Sequence, residues 1–493
     1  MSTRHVDVLI VGAGISGIGA AYHLKTGAPG RTFAILEGRQ AIGGTWDLFR
    51  YPGIRSDSDM PTFGFGFKPW TNERSIAPAD AILAYLRETV AEYGIDRHIH
   101  FGHRVLTAEF SSSTGRWTVT ARTEDGELAR FSARFLFSGT GYYDHAGGHT
   151  PDFEGIDEFT GQVVHPQLWP EDLDYTGKRV VIIGSGATAV TLVPSMAGRA
   201  GHVTMLQRSP SYMLSLPAQD PIANALNRLL GHRRAYPVIR RKNIAQHRAL
   251  FRLCRNQPKL MRRLLMADVR RRLPKGYDVD THFGPHYDPW DQRLCMVPDG
   301  DLFKAISSGA ASVATDRIDR FTPTGIRLVS GRELEADIVV TATGLNMLPF
   351  GGIDLHVDGR RVDPAETTVY KSMMLTGVPN FAFAIGYTNI SWTLKVDLVC
   401  EHFCRLLDHM DRTGDATVVP VLDDPEMERL PLFDLSSGYV QRRIGLFPRG
   451  GTRGVWTAAM AYEQDSARLR HGPVEDPALR FAPATANELA ATG

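Results

Sequence analysis

Two glycine-rich segments have the residue types and spacing that bind the pyrophosphate of a dinucleotide. The first contains Gly12, Gly14 and Gly17, after the short run VDVLIV; the second contains Gly184 and Gly186, after RVVII. Each segment precedes a helical pattern. In such a turn the first glycine allows a tight bend and the second lets the backbone approach a phosphate, while the helix directs free N–H groups at the anion. We therefore expect two dinucleotide sites.

The residues at the ends of the next strands distinguish these sites. RTFAILE ends in Glu37, and a carboxylate there can accept hydrogen bonds from both ribose hydroxyls of an adenosine. The corresponding strand of the second unit ends in Gln207 and Arg208, and an arginine binds a 2′-phosphate that a carboxylate would repel. The first site therefore suits FAD and the second, with Thr188 in its helix, suits NADPH. The alternative for Arg208 is a solvated side chain without a ligand.

The repeat predicts an α/β fold with two Rossmann-type domains. The runs FLFSGTG and DIVVTATG are apolar strands that end in glycine, and we interpret them as the places where the chain returns from one domain to the other. The NADPH-binding domain is then inserted in a discontinuous FAD-binding domain. We predict FAD-binding parts at 1–145 and 336–493, an NADPH-binding domain at 146–335, and a helical insert in it at about 217–290.

Composition restricts the class of protein. The chain has 493 residues, is 43% hydrophobic and 22% charged, and has a formal net charge of +1, which is typical of a soluble protein and argues against nucleic-acid binding. No apolar run is long enough to span a membrane. Four cysteines are sparse for this length, so we expect a reducing, cytoplasmic location, with peripheral membrane association left open. The four cysteines lie after residue 250, so the redox pair that flavin disulfide reductases need near the first unit is missing. We expect no metal site, and we interpret Cys400 and Cys404 as core residues.

A segment between the two glycine turns carries a family resemblance. FTGQVVHPQLWP resembles the FxGxxxHxxxW[P/D] fingerprint of type I Baeyer–Villiger monooxygenases, with Phe159, Gly161, His165 and Trp169 matching. A second signature, GGTWDLFRYPGIRSD, agrees. The resemblance covers almost the whole chain and is greatest to the ethionamide-activating branch of the family.

The resemblance implies an enzyme that uses FAD, NADPH and O2 to convert ketones to esters or lactones through a flavin C4a-peroxide, with sulfide or thioamide S-oxygenation as a side reaction. Arg293, in PHYDPWDQRLC, matches the active-site arginine, and Asp57 matches the carboxylate that positions it. A structural ion pair of Arg293 with Asp288 or Asp291 remains an alternative, as does a turn-capping role for Asp57. Two other functions stay open: an S- or N-oxygenase, and a redox-responsive protein that binds both cofactors without oxygenation.

The same resemblance implies roles for further residues. Gly44, Thr45 and Trp46 are expected to lie along the flavin. His165 and Trp169 are expected to couple the two domains and to take no part in the chemistry. The run GYTNISWTL from residue 386 is expected to begin a helix whose N-terminal end faces the flavin.

The insert is strongly basic. Residues 233–275 contain fifteen Lys or Arg and one acid, Asp268, with apolar residues at helical spacing and breaks expected at Pro237, Pro258 and Pro274. One interpretation is a solvated face that attracts the negatively charged NADPH. Another is peripheral contact with an anionic membrane. Nucleic acid is disfavoured because no stacking aromatic residues accompany the charges.

Overall fold

The computed structural model describes residues 3–458 and 460–483. The chain passes through two sheet domains in three stretches. The first stretch begins with a β-branched strand and a glycine turn, as the sequence predicts. Its strands and helices are β1 Arg4–Val11, α1 Ile15–Gly27, β2 Phe33–Leu36, α2 Thr45–Leu48, α3 Met60–Phe63, α4 Ala79–Glu92, β3 Ile99–His100, β4 Arg104–Ser111, β5 Arg116–Arg122, β6 Leu128–Ser138 and β7 Tyr143–Gly148.

The second stretch holds the second glycine turn and six helices. Its elements are β8 Gln162–Val164, β9 Arg179–Ile183, α5 Ala187–Met196, β10 His202–Gln207, β11 Met213–Leu214, α6 Pro221–Leu230, α7 His232–Asn256, α8 Pro258–Arg272, α9 Val279–Phe283, β12 Cys295–Met296, α10 Asp301–Ser307, β13 Ala311–Thr315, β14 Ile318–Thr322, β15 Gly325–Leu328, β16 Glu333–Glu335 and β17 Ile338–Thr341.

The third stretch returns to the first domain and includes a long buried helix. Its elements are β18 Leu345–Met347, β19 Asp354–Val357, β20 Arg360–Arg361, β21 Val369–Tyr370, β22 Met374–Leu375, β23 Phe381–Phe383, α11 Thr393–Thr413, β24 Asp415–Pro420, β25 Arg429–Pro431, α12 Gly438–Gln441, β26 Arg449–Gly451, α13 Tyr462–Asp465 and β27 Leu479–Pro483.

The first sheet combines the first and third stretches. Its strand order is β20-β19-β4-β5-β6-β1-β2-β3, and β23 pairs with β6. β1 runs parallel to β2 and β6, and β23 runs parallel to β6. One hydrophobic core unites the face of this sheet with α1 and α11 and includes Ile10, Ile18, Phe137, Val396 and Phe403. The first domain is therefore discontinuous.

The second sheet is built from the second stretch, in the order β13-β10-β9-β17-β8 with every pairing parallel. The expected fold of two Rossmann-type domains is confirmed. The domain boundary expected near 335 lies too early, because β17 pairs with β8 and β9 in the second sheet. The chain crosses between the domains in an antiparallel ribbon of β7 and β18, so the second boundary falls after Thr341.

The insert consists of α6, α7, α8 and α9. Pro258 begins α8 and Pro274 follows its end, as expected, but the break predicted at Pro237 is wrong because α7 continues through it. Pro237 stands within the second turn of the helix, so its missing N–H removes a single backbone hydrogen bond. In the described ranges, no helix is both long enough and apolar enough to cross a membrane.

Helix α7 is fixed to the first domain, although its sequence lies within the second. One guanidinium nitrogen of Arg240 donates to the carbonyl oxygens of Pro61, Thr62 and Gly64, and the other donates to Asp397 at 3.2 Å. A second contact forms where Asp59 accepts from Asn243 and His247, at 2.7 Å each. The insert therefore connects the domains across their interface.

Candidate active site

The first glycine turn has the geometry that its sequence predicts. Gly12 has φ +98°, and a Cβ on it would lie 2.9 Å from the carbonyl oxygen of Gly139. A Cβ on Gly17 would lie 1.8 Å from the oxygen of Gly12, so only glycine lets α1 pack this closely. Gly14 stands at the N-terminus of α1, where a Cβ would make ordinary contacts with Gly44. Gly14 is thus not required by packing, which leaves close approach of a ligand as its explanation.

Glu37 lies beside this turn as a buried carboxylate. It accepts hydrogen bonds from the backbone N–H of Ala13 at 2.8 Å and of Arg39 at 2.9 Å. Burial raises the pKa of Glu37, while these two backbone donors act to lower it. The carboxylate also lines a cavity, so its remaining lone pairs can accept hydrogen bonds from the hydroxyls of a bound ribose.

This cavity, of about 540 Å³, extends from the first turn to the interface with the second domain. The segment 44–46 lines its wall, as do Thr188 and Arg293 from the second domain. The side chain of Trp392 also lines it and donates to the hydroxyl of Ser16 at 2.8 Å. The helix expected from residue 386 begins later, at Thr393, and the preceding loop contributes Tyr387 and Ile390 to the wall. The cavity thus joins the first glycine turn and Glu37 to Arg293, with polar groups along its wall that could bind a dinucleotide.

Arg293 and Asp57 meet at the cavity. The guanidinium Nη2 of Arg293 lies 3.1 Å from Oδ2 of Asp57. Asp57 belongs to the YPGIRSD segment of the first domain, and Arg293 precedes β12 in the second. The ion pair of Arg293 is therefore with Asp57 and not with Asp288 or Asp291, and Asp291 pairs with Arg255 instead.

Three tyrosines surround this ion pair, and the sequence reasoning missed them. Burial acts to lower the pKa of Arg293, but the charge of Asp57 and the phenols of Tyr142, Tyr143 and Tyr439 raise it above its ordinary value. The hydroxyls of Tyr142 and Tyr143 are 3.2 Å apart. Arg293 is therefore a permanent cation on the cavity wall. The repeated tyrosine in GTGYYD was the one available signal, but it does not reveal which residues it faces.

The second glycine turn resembles the first. Gly184 has φ +141°, and a Cβ on it would lie 2.4 Å from the oxygen of Ala342. Gly186 stands at the N-terminus of α5, with open space where its Cβ would be. At the end of β10, Gln207 is buried, and its amide donates to the carbonyl of His282 at 2.7 Å and to the hydroxyl of Thr315 at 2.8 Å. The nitrogen of Gln207 is therefore occupied within its own domain.

Arg208 is placed differently from Gln207. It is exposed directly after β10 and makes no hydrogen bond or ion pair among the described residues. It lies outside the cavity that contains Arg293. A guanidinium that is free in this position can bind an anionic group of a ligand on the second turn.

One fingerprint residue, His165, contacts the segments through which the chain crosses between the domains. Nδ1 of His165 accepts from the N–H of Gln167 at 3.1 Å, and Nε2 lies 3.2 Å from the carbonyl of Gly344, where the chain returns to the first domain. Burial lowers the pKa of His165, which keeps the ring neutral. A Cβ on Gly148 in β7 would overlap the His165 ring. The histidine thus contacts β7 and the residue that precedes β18.

The other fingerprint residues are structural parts of the second domain. Phe159 is buried and packs edge-to-face on Phe321, with ring centroids 6.0 Å apart. A Cβ on Gly161 would lie 2.4 Å from the oxygen of Asp337. Trp169 packs on the core of the second sheet. Within the described residues, no cluster of three His, Cys, Asp or Glu side chains is arranged to hold a metal.

Interdomain polar contacts beyond the sequence motifs also border the cavity. Arg55, two residues before Asp57, forms an ion pair with Asp301 at the start of α10. Tyr51 is hydrogen-bonded to Thr188, and burial raises the pKa of Tyr51 to about 12. These pairs fix the YPGIRSD segment against the second domain.

Comparison with known proteins shows similarity over most of the chain. A family model described as flavin-binding monooxygenase-like matches residues 73–374, and one described as an NAD(P)-binding Rossmann-like domain matches residues 10–73. The chain is 53% identical over 481 residues to the FAD-containing monooxygenase EthA of Mycobacterium tuberculosis, covering 97% of this chain and 98% of that protein. It is 52% identical over 480 residues to EthA of Mycolicibacterium smegmatis, covering 97% of each.

Solved structures share the fold at low sequence identity. An oxidized steroid monooxygenase bound to NADP superposes with a TM-score of 0.77 at 23% identity, covering 98% of this chain and 100% of that one. Cyclohexanone monooxygenase in its open crystal structure gives a TM-score of 0.74 at 19% identity, covering 97% of this chain and 100% of that one. Both domains and the insert therefore have counterparts in solved structures.

Proposed function

Because this chain belongs to the flavin-binding monooxygenase-like family, we propose that it converts a ketone to an ester or lactone with NADPH and O2. It is a monooxygenase whose cofactors are FAD and NADP(H). Ketone oxidation in particular is supported by one observation, the position of Arg293 as a fixed cation on the cavity wall.

The residues of the first domain fit FAD. Glu37 would accept hydrogen bonds from the ribose hydroxyls, and Gly14 leaves room for the pyrophosphate at the N-terminus of α1. Residues 44–46 and Trp392 line the part of the cavity that leads to Arg293. Bound FAD supplies two-electron transfer from NADPH and the reaction with O2.

Arg293 can stabilise the charge that develops on the substrate. Oxygen transfer to a carbonyl carbon places negative charge on the carbonyl oxygen, and a cation already in position stabilises it without reorganisation. Asp57 holds the guanidinium from the other domain. Together with Asp57, the neighbouring tyrosines raise the pKa of Arg293, so its guanidinium keeps its charge on the cavity wall.

The second domain supports a preference for NADPH over NADH. Gly186 leaves the N-terminus of α5 open to a pyrophosphate, and Arg208 offers a free guanidinium at the end of the next strand. A 2′-phosphate there would form a bidentate pair with Arg208. Gln207 is the weaker candidate, since only its Oε1 has no hydrogen-bond partner among the described residues.

The domain-coupling role of His165 rests on its contacts. It joins the linker before β9 to Gly148 in β7 and to Gly344, which precedes β18. We therefore expect His165 to transmit movement between the domains, which the enzyme needs if NADP must occupy two positions during turnover.

Sulfide or thioamide S-oxygenation is a second candidate. It is favoured by the chain's resemblance to the ethionamide-activating branch and by its 53% identity to EthA. S-oxygenation uses an electrophilic oxygen and makes no oxyanion on carbon, so it requires less of Arg293 than ketone oxidation does.

Product analysis distinguishes these reactions. The FAD-loaded protein is mixed with NADPH, isotope-labelled O2 and either a panel of ketones or a panel of sulfides, and the products are identified by mass spectrometry. One labelled oxygen atom in an ester supports ketone oxidation; sulfoxides with unreacted ketones support the second candidate. NADPH consumption that yields only hydrogen peroxide with every substrate would contradict both.

A further inference from the structure

The outer surface of the insert exposes an unusual number of large apolar side chains. Of the fifteen that are exposed in the described residues, seven lie on α6, α7 and α8. Leu229 is the most exposed, at 79% of its surface. Exposed apolar side chains grouped in this way commonly mark a contact surface. The seven are Ile222, Leu229, Leu230, Val238, Leu253, Leu260 and Leu264.

Cations alternate with these apolar residues on the same helix faces. On α8, Lys259 and Arg263 are one turn apart, as are Leu260 and Leu264, so the two pairs form adjacent stripes. On α7, Val238 lies one turn from Arg234 on one side and from Arg241 on the other. Six exposed cations on these two helices have no hydrogen bond or ion pair among the described residues: Arg233, Arg234, Arg241, Arg252, Lys259 and Arg263.

Other cations of the insert are used within the protein. Arg240 pairs with Asp397, Lys242 with Asp220, and Arg255 with Asp291, and these bonds hold the helices against neighbouring segments. Asp268, the single acid between residues 233 and 275, pairs with two arginines of its own helix. The outward faces are therefore cationic as well as apolar.

We propose that the outward faces of α6, α7 and α8 bind the surface of an anionic phospholipid bilayer. Such a surface attracts the free cations and accepts the leucine side chains between its headgroups. Attraction of NADPH alone would not explain the exposed leucines. A second copy of the chain would bring two cationic faces together, which is unfavourable.

The arrangement suits reversible attachment. Each basic side chain near an anionic surface contributes modestly, and salt screens the contribution. In this attachment the helices would lie along the bilayer surface, since no helix among the described residues is long and apolar enough to span it. Binding would place the enzyme where apolar substrates are concentrated, with α7 still fixed to the first domain through Arg240.

Vesicle binding by the FAD-loaded protein tests this proposal. The protein is incubated with vesicles of pure phosphatidylcholine, or of two parts phosphatidylcholine and one part phosphatidylglycerol, and bound protein is measured by flotation. We expect binding to the anionic vesicles alone, with salt dependence. The double variant Lys259→Glu, Arg263→Glu should bind at least about tenfold more weakly. Leu260→Ser with Leu264→Ser should also weaken binding.

A control variant carries one substitution of each kind elsewhere on the surface. Leu128 and Arg130 are exposed at the start of β6, so Leu128→Ser with Arg130→Glu should leave binding unchanged. All variants should retain wild-type FAD content. The proposal is overturned if the wild-type protein ignores anionic vesicles, or if the control and test variants bind alike. A vesicle-free dimer that Leu260→Ser with Leu264→Ser dissociates would instead assign these faces to a second copy.

Discussion

At the scale of single residues, the proposed chemistry depends on the positive charge of Arg293, which its neighbours stabilise. Arg293 faces a carboxylate and three phenols, so the guanidinium is stabilised more than burial destabilises it. A lysine would keep the positive charge but would lose the planar fork that Asp57 can hold.

The first prediction concerns Arg293→Ala. Ester formation from a ketone should fall by about 10²–10³, because one preorganised stabilising group is lost. Flavin reduction by NADPH makes less demand on this charge and should continue, with the reducing equivalents appearing as hydrogen peroxide. Mass detection of ester, rapid-mixing absorbance of the flavin and a peroxide assay measure the three quantities.

Two further variants serve as comparisons for Arg293→Ala. Arg293→Lys should recover little ester formation, for the geometric reason above. Arg360→Ala removes an exposed arginine on a hairpin of the first sheet and should leave all three measurements unchanged. Near wild-type ester formation by Arg293→Ala would show that another group stabilises the developing charge.

The second prediction concerns Arg208→Ala. The KM for NADPH should rise roughly ten- to a hundredfold, which corresponds to the loss of about 1.5–3 kcal/mol in one charged hydrogen-bonded contact. The KM for NADH should stay nearly constant, because that cofactor has no 2′-phosphate. Initial rates with each cofactor provide the comparison. An equal loss with both would mean that Arg208 has a structural role.

Sequence motifs predicted the pairing of Arg293 with Asp57 across a long separation in the chain. They did not predict the tyrosines around it, because tertiary packing brings together residues of β7 and α12 that have no local pattern in common. Nor could they show that the Gln207 amide points into its own domain, since the direction of a side chain at a strand end depends on the loop opposite.

At the scale of elements, α11 carries a histidine with an unusual environment. Burial lowers the pKa of His402 to about 3, with the positive charge of Lys371 adding to the effect. Its ring contacts the carbonyl of Leu469 at 2.9 Å, in the π-helix Ser466–His471. The folded protein therefore holds this histidine neutral over a range in which the unfolded chain protonates it.

The third prediction follows from that difference. As the pH falls below the ordinary pKa of 6.5, the unfolded chain binds a proton that the folded protein excludes until about pH 3, so stability is lost across this window. One such group changes the free energy of unfolding by up to about 1.4 kcal/mol per pH unit. His402→Gln should flatten the pH dependence of urea unfolding between pH 7 and about 5. An unchanged slope would show that His402 titrates normally in the folded protein.

Elements with a strong local pattern were predicted well, and those set by tertiary contacts were not. Both glycine turns gave the β1–α1 and β9–α5 units directly. In contrast, the predicted domain boundary near 335 was wrong. DIVV is an apolar strand that either sheet could accept, and only its pairing with β8 and β9 shows that it belongs to the second domain. The left-handed φ of 79° at Trp290 could not be predicted from the sequence either. The side chain of Trp290 packs in a hydrophobic cluster with Tyr212 and Met261, which depends on tertiary structure.

At the scale of the whole molecule, the contacts of α7 determine how the insert sits on the first domain. The fourth prediction is that Arg240→Ala lowers the free energy of unfolding by about 3–5 kcal/mol, because Asp397 loses a partly buried partner and three carbonyls lose a donor. The adjacent Arg241 is exposed, so Arg241→Ala should change stability by less than about 0.5 kcal/mol. Denaturant unfolding measures both, and equal effects would argue against the contact.

The discontinuity of the first domain has a consequence for synthesis. α1 packs on α11, and β6 pairs with β23, so the early part of the chain lacks these partners until much later residues leave the ribosome. The second domain has all five strands of its sheet before then. The nascent chain must therefore complete its domains in the reverse of the order in which they begin. Meanwhile the apolar face of α1 and the part of β6 that pairs with β23 stay uncovered. Such surfaces bind chaperones and promote aggregation.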